Sequence, residues 1–242
     1  AISLLKFDPI IIDVLKKHSE GKLSASILEN IIALSNIPLL LKLMENCPIP
    51  DLTLEAVIQD IRSELLLNIF SIKNHLKLLP FQLSLALQCF NNEYLYNKTD
   101  IEIESLKELE NLVETKLING EKPSPNELAC LASYKALYEY SWIHLLSIPA
   151  ELESLHRKQV LEPEEEKQLK LKIPVFQNIT DNISSKVRDQ YEQNPYPRWV
   201  NLKLDFSPKP ISIIIKTLNL KLFNLSINEV SAPKILIAGC GT

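Results

Sequence analysis

The sequence predicts a mainly α-helical fold that ends in one short buried strand and a glycine turn. The 242 residues include only 4 glycines against 15 prolines, which leaves little room for the tight turns of β-rich folds. Residues that commonly cap helices precede most of the segments in which apolar residues recur every three or four positions. The last segment, residues 235–241 (ILIAGCG), instead joins an apolar run to two of the four glycines.

Composition narrows the class of protein. Hydrophobic residues make up 46% of the chain and the formal net charge is −4, so the chain is globular rather than disordered. The acidic balance argues against nucleic acid as a direct partner. Lys42 and Lys216 interrupt the two most apolar stretches before a membrane-spanning length of roughly 20 residues is reached. The N-terminus lacks a basic leader, and we expect a cytoplasmic protein with no membrane partner.

The cysteines and histidines are scattered along the chain. None of the four cysteines forms a CxxC pair, and no Cys/His spacing suits zinc. We expect reduced thiols, three of them in the helical core, and no metal site. The cysteines are Cys47, Cys89, Cys130 and Cys240.

Helix-start signals mark the first half of the chain. Asp8 precedes Pro9, an arrangement that suits the first turn of a helix. Ser24 is the candidate cap of the next helix, and Pro38 opens another. Asp51 or Thr53 starts a long helix that runs through residues 54–70.

Two capping boxes follow, in which a Ser or Thr stands three positions before a Glu. Thr99 starts a helix that Gly120 ends. Ser124 starts a second, with Pro125 at its first position, and we expect this helix to run to about residue 146. Tyr134 and Tyr138 would then share one of its faces as part of a core seam.

A charged run at residues 161–172 predicts a solvated helical face. After residue 173 the regular succession of capped amphipathic helices ends. Residues 184–193 predict a helix, and Pro195 and Pro197 force an extended segment after it. Residues 208–223 again predict a helix, and residues 228–233 connect it to the terminal strand.

The terminal strand and glycine turn are typical of nucleotide-binding Rossmann-type sheets. Gly239 allows a sharp turn, and the absence of side chains at Gly239 and Gly241 lets a nucleotide approach the backbone. An ordinary strand-to-loop turn and a dinucleotide site are alternatives. A dinucleotide site requires a third glycine three residues further on, beyond Thr242.

The order of residues in ILIAGCGT resembles motif I of class I S-adenosylmethionine-dependent methyltransferases. The segment QYEQNPYPRWV, residues 190–200, resembles the QYEENPYPRW segment of a bacterial family of these enzymes that is often fused to tetratricopeptide repeats. In that family the segment also precedes motif I. Residues 48–66, 85–109 and 127–140 resemble the helical N-terminal region of the family in the same order, so the resemblance covers residues 38–242.

The resemblance implies a set of cofactor-binding residues for S-adenosyl-L-methionine. Gly239, Cys240 and Gly241 match motif I, with Cys240 contributing mainly its backbone. Tyr191, Tyr196 and Arg198 match the PYPR segment, which is implied to cover the mouth of the active site. Arg198 would bind the cofactor carboxylate or an anionic acceptor.

An alternative for the same segment is a proline-locked linker that docks Trp199 and Tyr196 onto the catalytic domain. The sequence supports both interpretations of the segment, a cover for the active-site mouth and a docked linker.

The resemblance implies three parts: a helical accessory domain at residues 1–173, a linker or lid at 174–207, and the first helix and strand of a truncated Rossmann-like α/β methyltransferase domain at 208–242. The catalytic residues would lie beyond Thr242, so we expect this stretch to be inactive by itself. The helical domain would serve the methyl acceptor, a protein partner or dimerisation, and the acceptor class stays open. The alternative functions are a solenoid-like, non-enzymatic interaction module and a nicotinamide-dependent oxidoreductase.

Overall fold

A computed structural model of the chain describes residues 2–72, 74–173, 181–193, 207, 209–230, 232 and 234. The described residues are mainly helical, and no strand occurs among them. The chain divides into two compact units, residues 1–174 and residues 175–242. The α-helices of the first unit are α1 (Ile2–Leu5), α2 (Pro9–Ser19), α3 (Ile27–Leu34), α4 (Pro38–Asn46), α5 (Leu52–Leu67), α6 (Ile69–Ile72), α7 (Leu79–Asn91), α8 (Asp100–Ile118), α9 (Pro125–Ala132), α10 (Glu153–His156) and α11 (Glu162–Lys170).

The described part of the second unit contains α12 (Asn182–Gln193), α13 (Ile211–Thr217) and a 3-10 turn at Leu225–Glu229. The helix expected over residues 208–223 is therefore shorter than predicted. Asn219 takes the left-handed conformation, with φ +51°, directly after α13. That conformation ends the helix. The predicted strand at residues 235–238 lies outside the described residues.

The core of the first unit is built around α7. Nearly every side chain of α7 from Leu79 to Cys89 is buried, as expected for a helix that is apolar on most of its circumference. α4 and α9 make the most extensive contacts with α7, while α8 packs against α5 and α9. One hydrophobic cluster runs through the unit from Leu5 to Leu155.

Most of the predicted helix starts are confirmed. The Asp8 carboxylate accepts a hydrogen bond from the backbone N–H of Ile10 at 2.8 Å, and Pro38 opens α4. Asp51, rather than Thr53, caps α5 by accepting from Leu54 at 3.1 Å. Both capping boxes are present.

The expected cap at Ser24 is wrong. Ser24 begins a 3-10 turn at Ser24–Ser26, and α3 starts only at Ile27. The Ser24 hydroxyl donates to the Glu64 carboxylate of α5 instead of capping a helix. A contact forty positions away along the chain thus outweighs the local capping pattern.

The long helix expected after Ser124 is also wrong, because α9 ends at Ala132. The Ser133 hydroxyl donates to the Cys130 carbonyl at 2.7 Å, and Ala136 is extended, with ψ 138°. Two 3-10 turns follow, at Leu137–Glu139 and Ile143–Leu145. Tyr134 and Tyr138 therefore do not share a helix face: Tyr134 is buried, whereas Tyr138 is 40% exposed.

Two smaller expectations are corrected as well. α5 ends at Leu67, and a separate short helix, α6, follows the turn at Asn68. Cys89 and Cys130 are buried as expected, but Cys47 is only half-buried because it lies at the C-terminal end of α4.

The charged run is confirmed as the solvated helix α11, which has no buried residue.

No single helix among the described residues is long and apolar enough to cross a bilayer. One pair of segments, Ser24–Leu34 with Pro38–Asn46, meets the length and composition requirement only when taken together, and it is bent by 90°.

Candidate functional site

Of the six residues predicted to bind the cofactor, the structure describes Tyr191. It lies in the last turn of α12, and its side chain is 58% exposed. The other five lie outside the described residues: Tyr196, Arg198, Gly239, Cys240 and Gly241. No distance between two members of the predicted site is therefore defined.

α12 presents Tyr191 at one end of an apolar stripe. Ile183, Val187 and Tyr191 are spaced by four residues and are all exposed, so they lie on one face of the helix. The Asp181 carboxylate accepts from the backbone N–H of Ser184 at 2.7 Å and caps the start of the helix. α12 thus ends directly before the NPYPRW segment with an exposed aromatic side chain in its final turn.

Sequence reasoning missed a buried charged cluster in the first unit, formed by Arg62, Glu102 and Tyr134. We call it the Arg62 centre. The Arg62 side chain is 1% exposed, and its Nη2 lies 2.6 Å from the Asn97 carbonyl oxygen and 3.5 Å from Glu102 Oε1. The Tyr134 hydroxyl donates to the same Glu102 oxygen at 2.7 Å. One sequence signal pointed to this cluster: Arg62 interrupts the apolar face of α5 between Ile58 and Leu66.

Aromatic rings complete the surroundings of the guanidinium. Its central carbon lies 4.3 Å from the centre of the Tyr134 ring and 5.4 Å from that of Tyr96, which are cation–π distances. Arg62 Nε and Nη1 have no hydrogen-bond partner. The electron-rich ring faces therefore stabilise the part of the cation that hydrogen bonds do not reach.

Burial, hydrogen bonds and the charge of Arg62 together determine the ionisation of the side chains around this centre. Burial raises the pKa of Glu102, but hydrogen bonds from Thr99 and Tyr134 and the charge of Arg62 outweigh it and leave that pKa below its usual value. Burial raises the pKa of the Cys89 thiol to about 12, despite the nearby Arg62 charge. It also raises the pKa of Tyr134 well above its usual range. The thiol and the phenol thus stay protonated at neutral pH.

A second buried ion pair joins α8 to α9. Lys116 Nζ lies 2.6 Å and 2.8 Å from the two carboxylate oxygens of Glu127, whose side chain is fully buried. Glu127 also accepts from the backbone N–H of Ser124 at 2.7 Å. This carboxylate, like that of Glu102, completes a capping box at the start of its own helix. It also pairs with a cation from an earlier helix, Lys116 of α8 for Glu127 and Arg62 of α5 for Glu102.

Gln159 is a third buried polar group, and it lies in a π-helical turn at Arg157–Leu161. Its amide nitrogen donates to the carbonyls of Ala86 and Ala132, at 3.2 Å and 3.1 Å. Its oxygen accepts from the Leu137 N–H at 3.1 Å. Because every hydrogen-bonding group of the amide has a partner, we assign Gln159 to holding α7, α9 and the following turn together.

The described residues contain no group of three or more His, Cys, Asp or Glu side chains arranged to hold a metal ion. The polar clusters of the first unit lie in its interior, where their hydrogen bonds and ion pairs join elements of the fold to one another.

Comparison with known proteins adds no relative: no family model, no curated protein and no solved structure matches the chain.

Proposed function

We propose that the chain is the N-terminal part of an S-adenosylmethionine-dependent methyltransferase of the cytoplasm, with Gly239 opening the glycine loop of the cofactor site. The observation that carries the proposal is the order of two segments, NPYPRW at residues 194–199 and AGCG at residues 238–241. The exposed Tyr191 at the end of α12 supports it, because α12 leads directly into the first of these segments.

In this proposal the second unit contributes the start of a Rossmann-like cofactor domain. Gly239, Cys240 and Gly241 contact the cofactor through the backbone, and Tyr191, Tyr196 and Arg198 cover the mouth of the site. The first unit is a helical accessory domain that serves the acceptor or a protein partner. Nucleic acid and membranes are not among the proposed partners.

Methyl transfer from a sulfonium to a nucleophile is an in-line displacement, to which an enzyme contributes mainly positioning and a suitable electrostatic environment. A base is required only where the acceptor must lose a proton. The buried thiols and phenols of the first unit are protonated at neutral pH and supply no such base. In this proposal the catalytic residues lie outside residues 1–242, as the resemblance to the methyltransferase family implies, and we expect this stretch to be inactive alone.

Titration calorimetry of the full-length gene product with S-adenosylmethionine tests the proposal. We expect micromolar binding, loss of binding in Gly239→Arg, and no binding of nicotinamide dinucleotide. Ser3→Arg is the matched control, because it adds the same side chain at an exposed position of α1 in the first unit. A folded wild-type protein that binds no S-adenosylmethionine would refute the proposal, and binding of nicotinamide dinucleotide would favour an oxidoreductase.

A groove in the first unit favours the second candidate, a non-enzymatic helical interaction module. The groove has a volume of about 330 Å³ and lies beside the C-terminal end of α8. Leu117, Leu145 and Leu146 line it together with three prolines, and Glu121 and Lys122 are among its polar lining residues. Exposed apolar patches bordered by polar residues are typical of protein-interaction sites. The prolines are Pro123, Pro125 and Pro149.

The interaction module is tested by affinity capture with the full-length protein, with and without S-adenosylmethionine. Capture of one defined partner that is independent of the cofactor and lost in Leu145→Glu would support this function. Leu169→Glu is the control, since Leu169 is exposed on the charged helix α11. Equal capture by both variants would exclude the groove.

A further inference from the structure

The dipeptide Asn119–Gly120 lies just after the last turn of α8. Asn119 is the C-cap residue, with φ −79° and ψ 1°, and its side chain is exposed. Gly120 has φ +74°, and no heavy atom outside the adjoining residues lies within 4 Å of the position that a Cβ would occupy. Asn119 is the only asparagine in the sequence that precedes a glycine.

We propose that Asn119 is a site of spontaneous deamidation in the folded protein. The backbone nitrogen of Gly120 attacks the side-chain amide carbon of Asn119, and a new C–N bond closes a five-membered succinimide. The bond to the side-chain nitrogen breaks, and ammonia leaves with the proton of the Gly120 N–H. Water then opens the ring at either carbonyl and returns a proton to the nitrogen, which yields aspartate or isoaspartate.

Two features of the site favour ring closure. Gly120 has no side chain to hinder the approach of its nitrogen, and glycine reaches the required backbone angles at little cost. The exposed amide of Asn119 is open to water, which is the only co-reactant.

Two backbone hydrogen bonds oppose the reaction. The Gly120 N–H donates to the Leu117 carbonyl at 3.1 Å, and this hydrogen bond must break before the nitrogen can attack. The Glu121 N–H donates to the Lys116 carbonyl at 2.8 Å and holds the same turn closed. Because helix ends open at little free-energy cost, these contacts slow the reaction without preventing it. Deamidation is therefore slower in the folded chain than in the unfolded chain, yet measurable.

The product places a negative charge at the C-terminal end of α8. The helix dipole makes this end unfavourable for an anion, and isoaspartate also lengthens the backbone there. Lys116, one turn earlier, pairs with the buried Glu127. We expect the aged protein to melt at a lower temperature because the junction between α8 and α9 is weakened.

The test is prolonged incubation of the full chain in mildly alkaline buffer, followed by peptide mass spectrometry that separates aspartate from isoaspartate. We expect a gain of about 1 Da at residue 119, a several-fold slower gain in Gly120→Ala, and none at that position in Asn119→Gln. The chain unfolded in urea gives the reference rate.

A folded chain with no gain at residue 119, under conditions in which the unfolded chain reacts there, would overturn the proposal. So would a gain confined to other asparagines. Melting curves of aged wild type and aged Asn119→Gln test the consequence: only the wild type should lose thermal stability, and equal curves for fully deamidated and fresh protein would refute the weakening of the junction.

Discussion

A single buried arginine joins three parts of the first unit. Arg62 of α5 contacts the Asn97 carbonyl before α8, Glu102 in the first turn of α8, and the ring of Tyr134 after α9. Moving a guanidinium from water into a core carries a large desolvation cost, which only close and well-oriented partners offset. Removing one partner is therefore more damaging than replacing the whole set by apolar residues.

We predict that Glu102→Gln destabilises the protein by about 3–5 kcal/mol, because it leaves the Arg62 charge buried without a carboxylate. Urea unfolding of the full chain measures the change. Glu104→Gln is the control, since Glu104 is exposed on the same helix and should change the stability by less than about 0.5 kcal/mol. Equal effects of the two substitutions would show that the Arg62 centre does not stabilise the fold.

The same carboxylate makes stability depend on pH. The pKa of Glu102 is lowered in the folded state, so the unfolded state binds more protons as the solution becomes acidic. Its contribution is fully present above the ordinary glutamate pKa, which is about 4.3, and is lost as the pH falls through the lowered value. Unfolding free energies measured from about pH 6 to about pH 3 should therefore fall more steeply in wild type than in Glu102→Gln.

At the scale of the element, the capping boxes at the starts of α8 and α9 connect local sequence to packing. Thr99 and Ser124 each accept from the N–H three residues on, at 3.2 Å in both cases. The glutamates that complete the boxes are buried and pair with Arg62 and Lys116. The residue at which each helix begins is therefore tied to its position against the preceding helices.

We expect Thr99→Ala and Ser124→Ala each to cost about 1 kcal/mol, since each removes a side-chain acceptor for a backbone N–H at a helix start. Thermal or urea unfolding of the full chain gives the value. Ser3→Ala, at an exposed position of α1, should have no measurable effect. If the capping variants unfold like Ser3→Ala, the caps contribute nothing to stability.

Local signals predicted these helix starts because a cap depends on residues within one turn. Ser24 and the end of α9 were not predictable in this way. The partner of the Ser24 hydroxyl lies on α5, and the chain beyond Ala132 turns so that Tyr134 reaches Glu102. Both outcomes depend on tertiary contacts, which outweigh local propensity.

The candidate site was predicted from a short motif and a resemblance, and five of its six residues lie outside the described part of the chain. The Arg62 centre was not predicted at all. Only the position of a charged residue within the apolar face of α5 pointed to it, and its partners are forty and seventy-two residues away along the chain. Such partners become visible only once the helices are packed.

At the scale of the whole molecule, the helical unit holds the buried polar centres, and the proposed cofactor residues belong to the second unit, residues 175–242. A ligand that binds only the folded state stabilises it in proportion to the logarithm of its concentration. The proposed function therefore has a thermodynamic signature that does not depend on knowing the acceptor.

We predict that S-adenosylmethionine stabilises the full-length protein by about 2.7 kcal/mol at a concentration of about 100 times its Kd. A thermal-shift measurement should show a higher melting temperature with the cofactor. Gly239→Arg should abolish the shift, and nicotinamide dinucleotide should cause none. An unchanged melting temperature at saturating cofactor would contradict the proposal.

The central position of α7 also affects the order in which the helices lose protection from hydrogen exchange. Helices α3, α4, α9 and α10 surround it, whereas α11 has no buried residue. The backbone amides of α7 should therefore exchange with deuterium only when the whole unit unfolds, while those of α11 exchange through local opening. Hydrogen exchange followed by mass spectrometry would then identify α7 as the last segment to lose protection, and exchange at equal rates in the two helices would contradict this.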